Sequence, residues 1–390
     1  MRNLFIGVAT IALLSACQPS KPKQPTKPVT EQSHQDAYDL QKQYDKIATV
    51  DLTGTDTSFL NDTQKQVVNL LIEAAELMNP IYLRQVSVHN PEIRHAIETS
   101  NQPNKDLLLK MFDRHFGPWD TLDEDHIFFG DKPRPAGGGF YPEDITKEEF
   151  NDWITNHPED KDAFNSFYTV IVRVDDKLVA VPYSIAYKEW LEPAAAKLRE
   201  AANLTKNPSL KKFLTLRAKA FETDDYFESE MAWMDLKDTP IEVVIGPYEV
   251  YTDKLFGLKT AFESFVTIKN PEESAALDKY KNYLRDMEAN LPVDEKYKNF
   301  DRGFESPIAV TYQIHGGGDN VPGVQTIAFN LPNDEAVREA KGAKKVLLNN
   351  VLGAKFDLIL APMAKEVLVP EQADMLVKKY MSFETLFHEL

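Results

Sequence analysis

The chain has 390 residues, of which 43% are hydrophobic, and this length suffices for a large core in two domains or one two-lobed unit. Its 61 acidic residues outnumber its 44 basic residues and give a formal net charge of −17. Such a surface repels phosphate backbones, so nucleic acid is not expected as a partner. No internal run reaches the length of about 18 apolar residues that a membrane-spanning helix needs.

The first 16 residues have the pattern of a secretory signal peptide. Arg2 precedes an apolar stretch at residues 4–14, and small residues lead to Cys17, the only cysteine. Residues 14–17, LSAC, resemble the lipobox of bacterial lipoproteins, which implies export, cleavage before Cys17 and lipidation of its thiol. Several acyl chains would give lasting membrane attachment. The alternatives are an ordinary signal peptide and a buried N-terminal helix with an incidental cysteine.

Residues 17–37 predict a lipidated tether between the membrane and the folded body, residues 38–390. Pro, Lys, Gln and Ser dominate this segment, which has too few large apolar residues to offset its ordering entropy by burial. Gln18 follows the cysteine, and in lipoproteins of this kind a residue other than Asp indicates the outer membrane. We therefore expect a protein anchored through Cys17 in the bacterial envelope, facing the periplasm.

Regular structure is predicted from about residue 38 onward. In chain order the pattern predicts a helix capped by Asp62 and ended by Asn79-Pro80, a hairpin about Asp175-Asp176-Lys177, helices over residues 186–202 and 209–221, and a β-prone run over residues 242–252. Strands and helices do not alternate regularly. This favours an α+β fold, predominantly helical with a few β-hairpins, over a doubly wound sheet.

Two glycine triplets interrupt the predicted elements. The first, residues 137–139, precedes a capping box formed by Thr146 and Glu149, and a structural loop is its favoured interpretation. The second, residues 316–318, follows His315 and predicts a flexible loop. Such a loop either borders a substrate cleft or serves only as a connection.

The sequence ends in FETLFHEL, and residues 381–390 predict an amphipathic helix. A His followed by a Glu on a helix is typical of zinc peptidases, in which the His binds the metal and the Glu activates water. Here these residues are His388 and Glu389, and the second His of that motif is absent. The other histidines form no pair at i, i+4 spacing, and the acidic run at residues 123–126 indicates a solvated turn.

Two internal segments accompany this motif. Residues 241–266, IEVVIGPYEVYTDKLFGLKTAFESFV, and residues 328–352, AFNLPNDEAVREAKGAKKVLLNNVL, resemble the dipeptidyl peptidase III family of zinc exopeptidases. The order of the segments, with the His-Glu pair last, agrees with that family. The resemblance covers about residues 38–390 and implies the first part of a two-lobed α+β fold.

The resemblance also implies roles for individual residues. Glu242, Asn330 and Asn333 would bind the amine and backbone of short peptide substrates, because a carboxylate pairs with an ammonium while amides donate and accept along an extended chain. His388 would bind zinc, and Glu389 would be the general base.

Two departures from the family pattern qualify these roles. The family has a Tyr two positions after the Glu that matches Glu242, and this position is Val244 here; Tyr251 or Tyr248 is available instead. The remaining zinc ligands would lie beyond residue 390, and one imidazole cannot hold zinc. We therefore expect this chain to be a fragment, a frameshifted product or one half of a split form of an exopeptidase that releases dipeptides, and to be inactive by itself.

Two other functions are compatible with the sequence. The first alternative is a catalytically silent envelope lipoprotein that keeps the cleft and binds peptides or a partner protein. The second is a solute-binding lipoprotein with no peptidase ancestry.

Overall fold

A computed structural model describes residues 38–50, 52, 54–269, 274, 275, 282–298, 300 and 307–389. The predicted signal peptide and the whole predicted tether, including Cys17, lie outside these residues, and so does the side chain of Glu389. Residues from Leu40 onward cluster as one compact unit. No helix in the described ranges is both long and apolar enough to cross a bilayer.

Helices account for most of the regular structure. They are α1 (Leu40–Asp45), α2 (Asp62–Glu76), α3 (Met78–Val86), α4 (Asn90–Thr99), α5 (Lys105–His115), α6 (Lys147–Asn156), α7 (Lys161–Asn165), α8 (Tyr183–Ala186), α9 (Lys188–Leu204), α10 (Pro208–Thr223), α11 (Phe227–Met234), α12 (Leu284–Ala289), α13 (Glu335–Lys341), α14 (Asn349–Lys355), α15 (Ala361–Val367), α16 (Pro370–Ala373) and α17 (Lys378–Glu389). A π-helical segment, Phe356–Leu360, joins α14 to α15.

The strands form two small hairpins and one larger sheet. They are β1 (Trp119–Asp120), β2 (His126–Ile127), β3 (Thr169–Val174), β4 (Lys177–Pro182), β5 (Ile241–Glu249), β6 (Ala261–Lys269), β7 (Ile308–Gly318), β8 (Ala328–Leu331) and β9 (Lys344–Leu348). The larger sheet has the order β5-β6-β7-β9-β8, in which only β7 and β9 are parallel. The predicted α+β class is confirmed, and the sheet is larger than the predicted hairpins implied.

The first long helix begins and ends differently from its prediction. The cap is Asn61 rather than Asp62, because the Asn61 side chain accepts from the Gln64 amide while the Gln64 side chain accepts from the Asn61 amide, each at 2.9 Å. The chain does not leave the helical path at Asn79-Pro80. Pro80 lies in the first turn of α3, where a helix needs no donor from its N–H.

The predicted hairpin is confirmed between β3 and β4. Its turn residues Asp175 and Asp176 have φ angles of 47° and 64°, which is the left-handed conformation that a two-residue hairpin turn requires. Short Asp side chains tolerate this conformation better than most residues do.

The two glycine triplets pack against helices. Gly139 donates its amide to the Gln85 carbonyl of α3 at 2.8 Å, and a Cβ there would lie 1.9 Å from the Arg84 carbonyl oxygen. The prediction of a loop at residues 316–318 is wrong, because these residues end β7 and pair with β6. Glycine is required there because a Cβ at Gly317 would lie 2.3 Å from the Ala75 carbonyl of α2.

The larger sheet curls, and helices cover it. Helices α2 and α3 pack on β6 and β7, α9 packs on α2, and α10 packs on α9. Lys344 on β9 reaches Glu242 on β5, 102 positions away, and the rings of Phe265 on β6 and Phe329 on β8 lie 4.6 Å apart. The curl therefore brings the edge strands β5 and β8 toward each other.

Candidate functional site

The predicted site residue Glu242 lies inside the curled sheet. Its side chain is 1% exposed, with Oε1 3.1 Å from Lys344 Nζ and Oε2 2.6 Å from Lys269 Nζ. Burial acts to raise the pKa of Glu242, but the two ammonium groups outweigh burial and the pKa is lowered. Burial in turn lowers the pKa of Lys344 to about 8. In this structure Glu242 ties β5 to its neighbours and is closed to a ligand from solvent.

The two predicted asparagines lie on and just after the other edge strand. Asn330 is an exposed residue of β8, and Asn333 follows that strand by two positions. The Asn333 Nδ2 donates to the Tyr248 carbonyl at 3.1 Å and lies 3.5 Å from Glu249 Oε1. The structure therefore brings Asn333 to the end of β5, at Glu249, rather than to Glu242.

A β-bulge precedes Glu249. Pro247 pairs with Phe262 and Glu249 pairs with Ala261, so that Tyr248 is an extra residue in the ladder. A bulge redirects the side chains that follow it, and bulges are frequent beside binding sites. Here the redirected side chain is the carboxylate that faces the asparagine.

Two further carboxylates lie near Glu249 at this edge of the sheet. Glu263 on β6 pairs in register with Gly318, and Asp319 follows that glycine. Burial raises the pKa of each of the three carboxyl groups. The charge of Asp319 raises the pKa of Glu249 and Glu263 further, whereas Asn333 acts to lower that of Glu249. The edge thus has a negative potential that favours a cation.

Tyr251 is the predicted site residue most open to solvent, with 77% of its surface exposed. The negative charge of Glu249, then burial, then the charges of Glu263 and Asp319 raise the pKa of its phenol. This electrostatic coupling places the Tyr251 hydroxyl in the field of the same carboxylates.

The turn that carries Tyr251 is held rigidly by Asp253. The Asp253 carboxylate accepts the hydroxyl of Tyr141 at 2.9 Å and four backbone amides within 3.1 Å. Those amides belong to Leu255, Phe256, Leu258 and Lys259. Although its side chain is exposed, Tyr251 therefore stands on a fixed backbone.

The sequence contained a signal for this arrangement that the sequence analysis missed. The family resemblance implies a Tyr two positions after the binding Glu. Glu249-Val250-Tyr251 has this spacing, whereas the residue two positions after Glu242 is Val244. Both glutamates lie on β5, so the strand alone does not distinguish them. The Tyr spacing does, and the contact with Asn333 selects the same residue.

The C-terminal helix carries the predicted metal ligand. Helix α17 begins three residues before the predicted start and packs on β8 and β9. His388 is exposed near its end. Leu386 is 2% exposed, whereas Phe387 is 47% exposed.

The side chains that the structure describes do not fit a zinc site. Within the described ranges, no three His, Cys, Asp or Glu side chains come together in a way that could hold a metal ion. His388 supplies one imidazole, and a tight zinc site needs at least three protein ligands. No catalytic step is therefore derived through zinc.

The curled α+β fold and its acidic, amide-flanked edge define a chain of the dipeptidyl peptidase III class. The chain belongs to peptidase family M49, whose family model matches residues 159–390. The predicted family is thereby confirmed, and the alternative with no peptidase ancestry is wrong.

Two solved structures are similar to the chain. The structure of DPP III from Caldithrix abyssi has 52% sequence identity and a TM-score of 0.82, and the match covers 86% of this chain and 64% of that chain. The structure of dipeptidyl-peptidase III from Corallococcus sp. strain EGB has 38% identity and a TM-score of 0.86, with coverage of 90% and 65%.

Two curated proteins are also similar. A protein of Arabidopsis thaliana named Nudix hydrolase 3 is 33% identical over an alignment of 402 residues, which covers 90% of this chain and 52% of that protein's own length. Dipeptidyl peptidase 3 of Dictyostelium discoideum is 28% identical over 184 residues, or 45% of this chain and 25% of its own length. The chain thus spans about half the length of the first of these relatives.

Proposed function

We propose that this protein acts in the zinc-dependent release of dipeptides from the amino ends of short peptides, as a lipoprotein of the bacterial envelope. In this proposal Cys17 carries the lipid, and the protein faces the periplasm from the outer membrane. Membership of family M49 supports the peptidase class. The lipid and the location rest on the sequence of the first 18 residues alone.

The observation that carries the proposal is the contact between Asn333 and the end of β5. The Asn333 amide lies against the Tyr248 carbonyl and the Glu249 carboxylate, on the strand end that leads to the exposed Tyr251. A peptide's ammonium group would pair with Glu249, and the Asn330 and Asn333 amides would bind its extended backbone. Tyr251 would contribute a hydroxyl donor beside the bound peptide.

The substrate role first assigned to Glu242 passes to Glu249 in this proposal. Two ammonium groups already neutralise the buried Glu242, so a peptide amine would have to displace Lys269 or Lys344 to reach it. Glu249 is only partly buried and contacts the neutral Asn333 amide, so that its charge remains available for a ligand.

We propose one residue for zinc binding and one for the chemical step. His388 would contribute one zinc ligand, and Glu389 would be the general base that takes a proton from water. We also propose that the 390-residue chain alone neither holds zinc tightly nor hydrolyses peptides, since His388 brings one imidazole to the predicted site and the described residues form no metal cluster.

A second candidate function is that of a catalytically silent lipoprotein that binds peptides. The assembled amine-binding edge, together with the lack of a metal cluster in the described part of the chain, favours this candidate. The two functions differ in one measurement, the release of dipeptides by the zinc-loaded protein purified from its own membrane.

Peptide binding can be tested directly by calorimetry with a tetrapeptide and its N-acetylated form. The parent chain is expected to prefer the free amine, and Glu249→Gln should weaken that binding by about ten- to a hundredfold, the range for a charged hydrogen bond of about 1.5–3 kcal/mol. The affinity for the acetylated peptide should change little in Glu249→Gln. Equal binding of both peptides by the parent chain would remove the amine site from the proposal.

A further inference from the structure

The guanidinium of Arg217 on α10 is buried under the strand that leads to Glu249. Its side chain has no exposed surface. Nη1 donates to the Ile245 carbonyl and to the Tyr248 hydroxyl, both at 2.9 Å, and Nη2 donates to Glu230 Oε1 at 2.5 Å. A buried charge costs free energy unless it is paired and hydrogen-bonded, so this cation is held in one arrangement.

The strand above Arg217 is shaped to accommodate it. Gly246 has a φ of 153°, and a Cβ at that position would lie 2.5 Å from Arg217 Nη1. The bulge follows directly, with Tyr248 as its extra residue between Pro247 and Glu249. The guanidinium therefore contacts the backbone just before the bulge and the side chain of the bulged residue itself.

Tyr248 is shared between this buried network and the candidate site. Its hydroxyl accepts from Arg217, while its carbonyl accepts the Asn333 amide at 3.1 Å. A bulged residue makes fewer ladder hydrogen bonds than its neighbours, so other contacts must fix its position. Here the fixed side chain determines where the carbonyl points, and the carbonyl determines where Asn333 lies relative to Glu249.

We infer that Arg217, acting through Tyr248, is a positioning residue that sets Glu249 and Asn333 for the amine end of a bound peptide. The inference rests on the proposed function of this edge. Arg217 does not touch the peptide; it fixes the bulge from inside the protein. If the hydrogen bond between Arg217 and Tyr248 is lost, the Glu249 carboxylate and the Asn333 amide are both still present. They are then less well aligned with each other.

The network contains its own matched control. The rings of Tyr226 and Tyr248 lie 5.3 and 5.6 Å from the Arg217 guanidinium carbon, and both are almost fully buried. The Tyr248 hydroxyl bonds to Arg217, whereas the Tyr226 hydroxyl has no hydrogen-bond partner in the described part of the chain. Tyr248→Phe and Tyr226→Phe thus each remove one buried hydroxyl from a ring beside Arg217, but only the first breaks the proposed linkage.

The test compares these two variants of the 390-residue chain in two measurements. Hydrogen exchange is followed by mass spectrometry over residues 328–337, and calorimetry gives the ratio of affinities for a tetrapeptide and its N-acetylated form. Tyr248→Phe is expected to speed exchange in that segment and to lower the amine preference about five- to tenfold, as for one lost hydrogen bond. Tyr226→Phe should change the ratio less than about twofold by the same reasoning.

The outcomes separate this inference from the proposed function. If hydrogen exchange is unchanged in Tyr248→Phe, the positioning role is overturned, whatever the ratio of peptide affinities. Faster exchange with an unaltered amine preference shows a purely structural network and also overturns it. If the parent chain has no amine preference, the proposed function fails, and the role of Arg217 in positioning groups for a peptide fails with it even where exchange responds. Equal effects in both variants would indicate general loosening of the core and would contradict the inference.

Discussion

Two glutamates on β5, seven positions apart, show how surroundings determine the role of a residue. Glu242 is enclosed with Lys269 and Lys344, and its charge is used to hold the curled sheet together. Glu249 lies at the strand end, partly buried, against a neutral amide. Identical side chains therefore serve stability at one position and, in our proposal, ligand binding at the other.

The raised pKa of Glu249 predicts how peptide binding depends on pH. An ammonium pairs with a carboxylate, so affinity should fall as pH falls through the pKa of Glu249, which burial and Asp319 raise above its usual 4.5. The loss should thus begin at a higher pH than for an exposed Glu. Glu263 and Asp319 also have raised pKa values and should steepen the loss.

Calorimetric titrations between pH 7.5 and 4.5 measure this dependence. In Glu249→Gln the remaining slope should be smaller, because the carboxylate that would pair with the ammonium of the ligand is gone. Constant affinity of the parent chain down to pH 4.5 would contradict the prediction.

The ion triad predicts a stability effect at Glu242. Glu242→Gln leaves the ammonium of Lys344 buried without its partner, and breaking a buried pair in this way costs about 3–5 kcal/mol. Because Lys344 has its pKa lowered to about 8, the loss should be largest below pH 8 and smaller above it, where the amine is neutral. Urea unfolding at pH 6.5 and 9 measures both values.

Glu249→Gln is the matched control for the stability effect. This partly buried glutamate has a raised pKa, so replacing it by a neutral amide should cost little at neutral pH. Equal losses of stability in the two variants would contradict the distinction between the two glutamates.

At the scale of elements, the sheet and the helices on it depend on close backbone contacts. The β7 strand ends in a glycine triplet, and α2 approaches Gly317 closely enough that a Cβ would meet the Ala75 carbonyl at 2.3 Å and Ser264 Oγ at 2.8 Å. The packing of α2 on the sheet thus requires the absence of a side chain. The sequence of the same residues predicts a loop, because glycine has low strand propensity.

This contact predicts a cost for the smallest possible side chain. Gly317→Ala should lower the free energy of unfolding by about 1–3 kcal/mol, since neither the α2 backbone nor β6 can move without disturbing the core. Gly54→Ala is the control, because a Cβ there would meet nothing within 4 Å. Both are measured by denaturant unfolding; equal stabilities of the two variants would show that α2 does not approach the strand so closely.

Elements with local signals were predictable from the sequence, and contacts between distant strands were not. The α9 and α10 helices and the turn at Asp175-Asp176 follow from periodicity and turn chemistry. The pairing of β8 with β9 and the contact of Asn333 with Tyr248, 85 positions away, have no local signature. The glutamate that we propose for substrate binding, Glu249, therefore lies on the predicted strand but seven positions after the predicted Glu242.

At the scale of the whole molecule, the net charge of −17 and the acidic sheet edge act in the same direction. An acidic protein attracts cationic ligands and repels anionic ones. In our proposal this attraction draws a peptide with a free amine toward the edge where Glu249, Glu263 and Asp319 lie together. Added salt should weaken this attraction, more for exposed groups than for buried ones.

The lipid anchor is predicted from the N-terminal sequence alone. Cys17→Ala removes the thiol that would carry the diacylglycerol, so the variant should be recovered unprocessed or released from the membrane fraction. Cell fractionation and gel migration measure this, with the parent chain expressed in parallel. A variant that fractionates and migrates as the parent does would show that Cys17 is not lipidated.

The last prediction concerns zinc in the 390-residue chain. After dialysis against a weak chelator we expect much less than one zinc per chain, because His388 offers a single imidazole and the described residues form no cluster of three ligands. His388 is also exposed in the last turn of α17, where a helix frays and its backbone is weakly held. Tight metal binding needs ligands oriented by further hydrogen bonds, and an exposed terminal imidazole provides none of that order.

Metal analysis of the parent chain and of His388→Ala completes the test. Equal and low zinc contents in both would agree with the prediction. One zinc per parent chain, lost in His388→Ala, would instead mean that other residues of these 390 complete the site. In that case dipeptide release by the same sample would further contradict the expectation that this chain is inactive, and His388 would stand as a ligand of a working peptidase.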